Sequence, residues 1–231
     1  MFQFKQFSIV QNKSAMKVGT DGVLLGAWVP VTQKKSILDI GTGTGLIALM
    51  LAQRNAMANI DAVEIDEDAC EEAKVNFKNS NWSDRLELHK VSLALYSTSK
   101  KYDLIVSNPP YYTDTFKSKK TQRTLARHVD GLSFENLLSY SKTLVTNNGV
   151  CAYIIPYKEE VNFVLLAEQL GLFLIKRTRV KGRKDLEYKR SLLCFSKTKQ
   201  VCADDDLIIE IDRHVYTEAY IELTQSFYLK M

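Results

Sequence analysis

The sequence has little that suits it to holding a metal or a crosslink. Its 231 residues include four Cys, at 70, 151, 194 and 202, with no Cys-x-x-Cys pair, so no disulfide framework is expected. Cys151 and Cys194 sit among strand-like neighbours, where Cys behaves as a small hydrophobe. The three His, at 89, 128 and 214, have no ligand spacing with the cysteines or with one another, and no metal is expected. Ten Gly and four Pro, without period, exclude a collagen-like chain. The longest apolar run, 22–31, is about half of the ~20 residues a membrane span needs. There is no internal repeat and no Pro/Ser/Gly-rich linker. Residues 1–10 alternate apolar and polar positions around Lys5, as a strand does and a secretory leader does not. The expectation is a cytoplasmic chain forming a single domain over residues 1–231.

What is present is enough apolar material for a core, 45% of residues, with 25% charged. A chain this long buries roughly 70% of its unfolded surface. The net charge of +4, from 31 basic and 27 acidic residues, conceals a segregation. Residues 115–128 carry five bases and no acid, and residues 171–200 carry ten bases and two acids. Residues 54–94 hold five bases against nine acids, and residues 201–231 two against seven. Two separated basic blocks can form a patch for a polyanion, or simply be solvated surface.

The opening reads as a strand running from Phe2 and Phe4 towards Ile9 and Val10. Thr20 or Asp21 then caps a short helix that Pro30 ends. From Ser36 strand and helix alternate. Strands are predicted at 36–40, 60–65, 86–91, 103–107 and 149–156, with helices at about 44–54, 67–79, from the Ser133 cap to about 145, and near 158–170. Strands near 172–180 and 188–196 flank a polar loop and read as an antiparallel hairpin. The pattern predicts an α/β fold with a doubly wound, mostly parallel seven-stranded sheet and an antiparallel final hairpin. A ligand site is expected at the carboxyl ends of its strands.

Two motifs fall at such ends. Asp39-Ile40-Gly41-Thr42-Gly43-Thr44-Gly45 follows the first core strand and opens a helix. Its glycines permit a sharp turn and close approach of a ligand to the main chain. The spacing is neither G-x-G-x-x-G nor a P-loop. Glu64, at the end of the second strand, stands where an acid can bond both ribose hydroxyls of a nucleoside. Asp39 is placed to order the loop or to meet an ammonium. Asn108-Pro109-Pro110-Tyr111 follows the fourth strand. Consecutive prolines restrict themselves and the residues before them, holding the Asn108 side chain and the Pro109 carbonyl as two acceptors for one –NH2 group.

The combination resembles the amino-methylating class I S-adenosylmethionine-dependent methyltransferases, whose motif is Asp/Asn/Ser-Pro-Pro-Tyr/Phe/Trp. The whole chain is similar to the bacterial tRNA(Val) adenine N6-methyltransferase family. Besides both motifs, the similarity covers Phe2 to Phe7, Met16-Lys17-Val18-Gly19-Thr20-Asp21, Leu24-Leu25-Gly26-Ala27-Trp28, Ala126-Arg127-His128 and Phe227-Tyr228-Leu229-Lys230. The resemblance implies a Rossmann-like fold, with 36–200 as core, 1–35 closing the cofactor site and 201–231 adding a strand and a helix. It implies S-adenosylmethionine as cofactor, with Gly41, Gly43 and Gly45 beneath it and Asp39 orienting its amino end. Glu64 would take the ribose hydroxyls, Ile65 and Ser92 the adenine, and Thr20 would close over the methionine moiety. Ser92 replaces an Asp common in relatives. Asn108, Pro109, Pro110 and Tyr111 would be catalytic, Tyr111 stacking on the target base.

The expected activity is N6-methylation of adenine 37 of valine tRNA, with tRNA as partner and no membrane or obligate protein partner. Lys117, Lys119, Lys120, Arg123, Arg127, Lys181, Arg183 and Lys184 are candidate RNA contacts. The same motif serves a glutamine amide of a release factor, although such enzymes carry an additional N-terminal helical domain and only 35 residues precede the first core strand here. DNA adenine methylation ranks lower, as no target-recognition domain follows residue 231. A non-catalytic RNA-binding module on this scaffold would be expected to have lost one of the two motifs.

Overall fold

The computed structural model describes residues 1–110 and 132–230. A nine-stranded sheet is built from β3 (Ser36–Ile40), β4 (Asn59–Glu64), β5 (Leu86–Lys90), β6 (Tyr102–Ser107), β7 (Val145–Pro156), β8 (Phe173–Arg183), β9 (Tyr188–Ser196), β10 (Ala203–Asp212) and β11 (Val215–Tyr216), in the order β11-β10-β8-β9-β7-β6-β3-β4-β5. β5, β4, β3, β6 and β7 are parallel neighbours. β9 runs antiparallel to β7 and β8, which are therefore parallel to each other. All seven expected strands are present, but the sheet has nine strands rather than seven, because β10 joins it in parallel with β8 and β11 pairs with β10.

The central strands are mostly apolar because both faces are covered. Ile37, Leu104, Val106, Val150, Ala152 and Ile154 face one core. Leu38, Ile105, Cys151, Tyr153 and Ile155 alternate with them into the other. The first face is covered by α1 (Thr20–Trp28), α2 (Leu46–Arg54) and α6 (Glu218–Thr224), with Phe77 from α3 (Glu67–Lys78). The second is covered by α4 (Phe134–Leu144) and α5 (Glu160–Gln169). Helices α1 and α2 approach closely, since a Cβ on Gly26 would lie 2.7 Å from the Met50 sulfur. Arg54 caps the end of α1, donating to the Gly26 and Val29 carbonyls at 2.8 Å each. Among the described residues no helix is long and apolar enough to cross a membrane.

Two local expectations are corrected. The N-terminal strand is a hairpin, β1 (Phe2–Gln3) against β2 (Ser8–Ile9), forming its own two-stranded sheet. The chain turns there because Phe4 and Phe7 stack with centroids 4.8 Å apart and are both buried. The cap of α1 is Gly19, with Thr20 as first helical residue. Ser133 caps α4 as expected, accepting from the Asn136 amide at 3.1 Å.

The acidic C-terminal segment lies beside the second basic block. The register of β10 on β8 sets Asp204 beside Arg177, Asp205 beside Thr178 and Asp206 beside Arg179. The Arg177 guanidinium bonds the Asp204 carboxylate directly. Within the second basic block, Arg177 is thus neutralised by the acidic C-terminal segment, whereas Arg179 pairs with Glu160.

Candidate active site

Three neighbouring strand ends converge. β3 leads into the glycine turn, whose Gly41 and Thr42 amides donate to the Val63 carbonyl of β4 at 2.9 and 3.1 Å. Gly41, Gly43 and Gly45 all have positive φ, at 68°, 58° and 86°, which side-chain-bearing residues rarely adopt. The three differ in surroundings. A Cβ on Gly45 would lie 2.4 Å from the Phe77 ring, whereas one on Gly41 or Gly43 would meet open space. Gly45 therefore serves packing, and the other two form an open cradle.

Asp39 is fully buried. Its Oδ2 accepts from the Thr42 hydroxyl at 2.6 Å and the Ala48 amide at 3.2 Å, so it orders the loop and the first turn of α2. Burial pushes its carboxyl up to about 7, against those two hydrogen bonds and with the Glu64 charge adding to the rise. Its Oδ1 is buried without a hydrogen-bond partner among the described residues. Glu64 is half-buried, with Oε2 accepting from the Gly43 amide at 2.9 Å and Oε1 from the Ile65 and Asp66 amides at 2.7 and 2.9 Å. A leftover acceptor on Asp39 and an open glycine cradle fit an amine-bearing ligand that approaches the main chain closely, as S-adenosylmethionine does.

Ile65 projects beside Glu64, 56% exposed. Ser92 is half-buried and opens a 3-10 turn over Leu93–Leu95; that strand end is joined to β4 by the Val91 amide on the Glu64 carbonyl at 2.9 Å. Thr20 is exposed at the start of α1. Asn108 is half-buried, Pro109 buried and Pro110 exposed, directly after β6. The sequence reading missed Ser107, whose hydroxyl donates to the Ile40 carbonyl at 2.8 Å and holds the end of β6 against that of β3. Asn108 thereby stands one residue beyond the Ile40–Ser107 pair, next to Gly41. Tyr111, Lys117, Lys119, Lys120, Arg123 and Arg127 lie outside the described residues.

A second missed element fastens the N-terminal segment. Glu72 on α3 is buried and accepts from the Lys13 and Ser14 amides at 2.7 and 3.1 Å, and from that of Asn12. Burial would raise its carboxyl, but the bonds from Lys13, Ser14 and Asn12 prevail and hold it at about 2. Asn76 spans the Val10 backbone and the Thr44 carbonyl of the glycine turn, donating to the latter at 2.8 Å. The available signal was a pair of polar residues four apart on a helix face otherwise made of Ala69, Ala73 and Phe77. Asp21 at the start of α1 also accepts from Arg190 of β9 at 2.7 Å.

Lys181, Arg183 and Lys184 lie at the carboxyl end of β8, on the same sheet edge as the site. The Lys181 ammonium sits 4.4 Å over the Tyr188 ring, Arg183 is 3.5 Å from Asp185, and Lys184 is exposed. Elsewhere, Asp61, Glu87 and His89 cluster on β4 and β5. The Lys100 ammonium already lies there, 2.9 Å from Asp61 and 3.6 Å from Glu87.

Residues 8–133 match the model of the methyltransferase small domain family. Over their full lengths, the chain is 57% identical to a tRNA1(Val) (adenine(37)-N6)-methyltransferase of Flavobacterium psychrophilum and 54% identical to that of Flavobacterium johnsoniae. A solved structure described as a predicted O-methyltransferase from Agrobacterium tumefaciens superposes with a TM-score of 0.71 at 18% identity, covering 90% of this chain and 96% of that one. A ribosomal protein L11 methylase from Lactobacillus delbrueckii subsp. bulgaricus gives 0.54 at 17% identity, covering 77% of each chain. The solved structures share the fold.

Proposed function

The chain belongs to the methyltransferase small domain family and, within it, to the family of the tRNA1(Val) (adenine(37)-N6)-methyltransferases, and from that premise we propose that it methylates the exocyclic amine of adenine 37 in a valine tRNA. The observation that carries the reading is the convergence of the open glycine cradle, Glu64 and Asn108-Pro109 on three adjacent strand ends. When bound, S-adenosylmethionine supplies an electrophilic sulfonium methyl. Gly41 and Gly43 let it approach the main chain, Asp39 offers a carboxylate oxygen to its amino end, and Glu64 takes a ribose hydroxyl. Ile65 packs on its adenine, Ser92 borders that ring, and Thr20 with residues 1–35 closes over the methionine end.

The adenine amine is a poor nucleophile because its lone pair is delocalised into the ring. The Asn108 side-chain oxygen and the Pro109 carbonyl accept its two N–H bonds and favour a pyramidal nitrogen. Positive charge grows on that nitrogen during attack, so both acceptors bind the transition state more tightly than the ground state. Tyr111 stacks on the base. An unpaired loop nucleotide enters such a pocket at the least cost in lost stacking. With tRNA as its substrate, the enzyme works in the cytoplasm.

The test is transfer of tritiated methyl from S-adenosylmethionine to a valine tRNA transcript, to the same transcript with guanine at position 37, and to release factor. Label is expected in the adenine 37 transcript alone, and Asn108→Ala should abolish transfer while cofactor binding persists. Label confined to protein overturns the substrate, and undiminished turnover by Asn108→Ala overturns the role of that residue.

A further inference from the structure

Beyond Asn108, on the half of the sheet edge away from the glycine turn, two tyrosines stand together. Tyr157 follows the last residue of β7 and Tyr188 opens β9, with ring centroids 5.0 Å apart and planes inclined at 43°. A cation lies over each ring, Lys181 at 4.4 Å from Tyr188 and Arg179 at 5.8 Å from Tyr157. Their supports are fixed. The Tyr188 hydroxyl donates to Asp206 at 2.6 Å. Arg179 donates to Glu160 at 2.7 Å, and Glu160, 3% exposed, also accepts from the Ser191 hydroxyl at 2.5 Å. Yet Tyr157 is 36% exposed and is flanked by an exposed Lys158, with an exposed Lys189 next to Tyr188.

Packing alone does not call for two cations over rings that remain open to water. Aromatic faces beside a cationic track are the means by which proteins hold unpaired nucleotides, through stacking with a contribution from the cation. The position suits this as well. Tyr153 pairs with Ser107, so Tyr157 lies three residues past the neighbour of Asn108 and one strand over. At about 3.3 Å per residue and ~4.8 Å between strands, the separation is on the order of 10 Å, or about three stacked-base steps.

We propose that Tyr157 and Tyr188, with Lys181, form a stacking platform for an unpaired base of the substrate RNA near the adenine that enters at Asn108. The proposal rests on the RNA-methyltransferase reading and adds where the loop is gripped. Lys181 meets the backbone beside the stacked base, and Asp206 and Glu160 act as positioning residues for the platform.

The experiment is steady-state methylation of the valine tRNA anticodon stem-loop, intact and in a series with one loop nucleotide at a time made abasic. Wild type is compared with Tyr157→Ala and Tyr157→Phe, and S-adenosylmethionine affinity is measured in parallel as a check on folding. At one loop position the abasic change is expected to raise the wild-type KM about tenfold. Tyr157→Ala raises KM for intact RNA by a similar factor, with the effect on KM rather than kcat, and becomes indifferent to that abasic position. Tyr157→Phe, which keeps the ring, restores the wild-type KM. An unaltered KM in Tyr157→Ala overturns the platform, as does a rise that multiplies independently with every abasic change. Absence of methylation of any RNA by the wild-type enzyme overturns the functional reading and the platform together.

Discussion

Gly43 and Glu64, twenty-one positions apart, meet in a 2.9 Å hydrogen bond from the glycine amide to the carboxylate. The same carboxylate accepts from Ile65 and Asp66. A carboxylate has about four acceptor positions, so the main chain takes most of them. Glu64 is a scaffold for the turn before it is a ligand for anything else, and its spare capacity is limited.

Glu64→Gln exchanges one accepting oxygen for a donor that faces a backbone amide. Cofactor affinity should fall at least about tenfold, in keeping with ~1.5–3 kcal/mol for a hydrogen bond to a charged group, and amide exchange at Gly43 should quicken. Titration calorimetry and hydrogen exchange give the two readouts. An unaltered dissociation constant removes Glu64 from the cofactor site.

Asp39 gives a pH signature. Its carboxyl is at about 7 in the folded chain and ordinarily near 3.8. Between about pH 4 and 7 the folded state holds a proton that the unfolded state has lost, so this group's contribution to stability declines as pH rises through that window. Asp39→Asn cannot ionise. In urea unfolding of the cofactor-free protein, the variant should gain on wild type from pH 4 to 7, by on the order of a few kcal/mol. A difference that is flat with pH contradicts the burial argument.

Glu72 acts in the opposite sense. Its carboxyl is held at about 2 against an ordinary 4.5, so its contribution is complete above about pH 4.5 and disappears as pH falls towards 2. Glu72→Gln should cost about 1–3 kcal/mol at neutral pH and release the segment it clasps. Lys13 and Lys17 lie in that segment, so limited trypsin digestion should cut there faster. Unaltered cleavage shows that the clasp does not hold the segment closed.

The basic residues of β8 should divide into two kinds. Removing Lys181, Arg183 and Lys184 together should weaken tRNA binding and lower its salt slope by up to ~2, at about 0.7 for each phosphate no longer neutralised. Arg179→Ala should instead destabilise the fold by about 1–3 kcal/mol, since it strips a partner from the buried Glu160, with little effect on the slope. Fluorescence anisotropy across a salt series, with thermal unfolding alongside, separates the two. Equal slopes for all variants would place the RNA elsewhere.

Local chemistry made much of this molecule legible in advance. Runs such as Ser36–Ile40 and Tyr102–Ser107 are mostly apolar because both faces of the sheet are covered, and the positive φ of Gly41, Gly43 and Gly45 asks for glycine. The illegible parts depend on distant partners. Nothing near Arg177 announces that Asp204 will lie alongside it, and nothing near Ser107 shows that its hydroxyl will reach Ile40. Phe2 to Val10 carries a strand pattern, yet Phe4 and Phe7 fold it back because each finds the other and a core to enter.

The alignment of β10 on β8 has a consequence for discrimination. Strand β10 sets Asp204 against Arg177 much as a nucleic acid sets a phosphate against a cation, and this partner is tethered by the sheet. Lys181 and Lys184 have no β10 carboxylate bonded to them among the described residues, and they stand at the sheet edge that carries the site. An RNA laid on this face would find Arg177 already engaged and would meet its available cations at that edge instead.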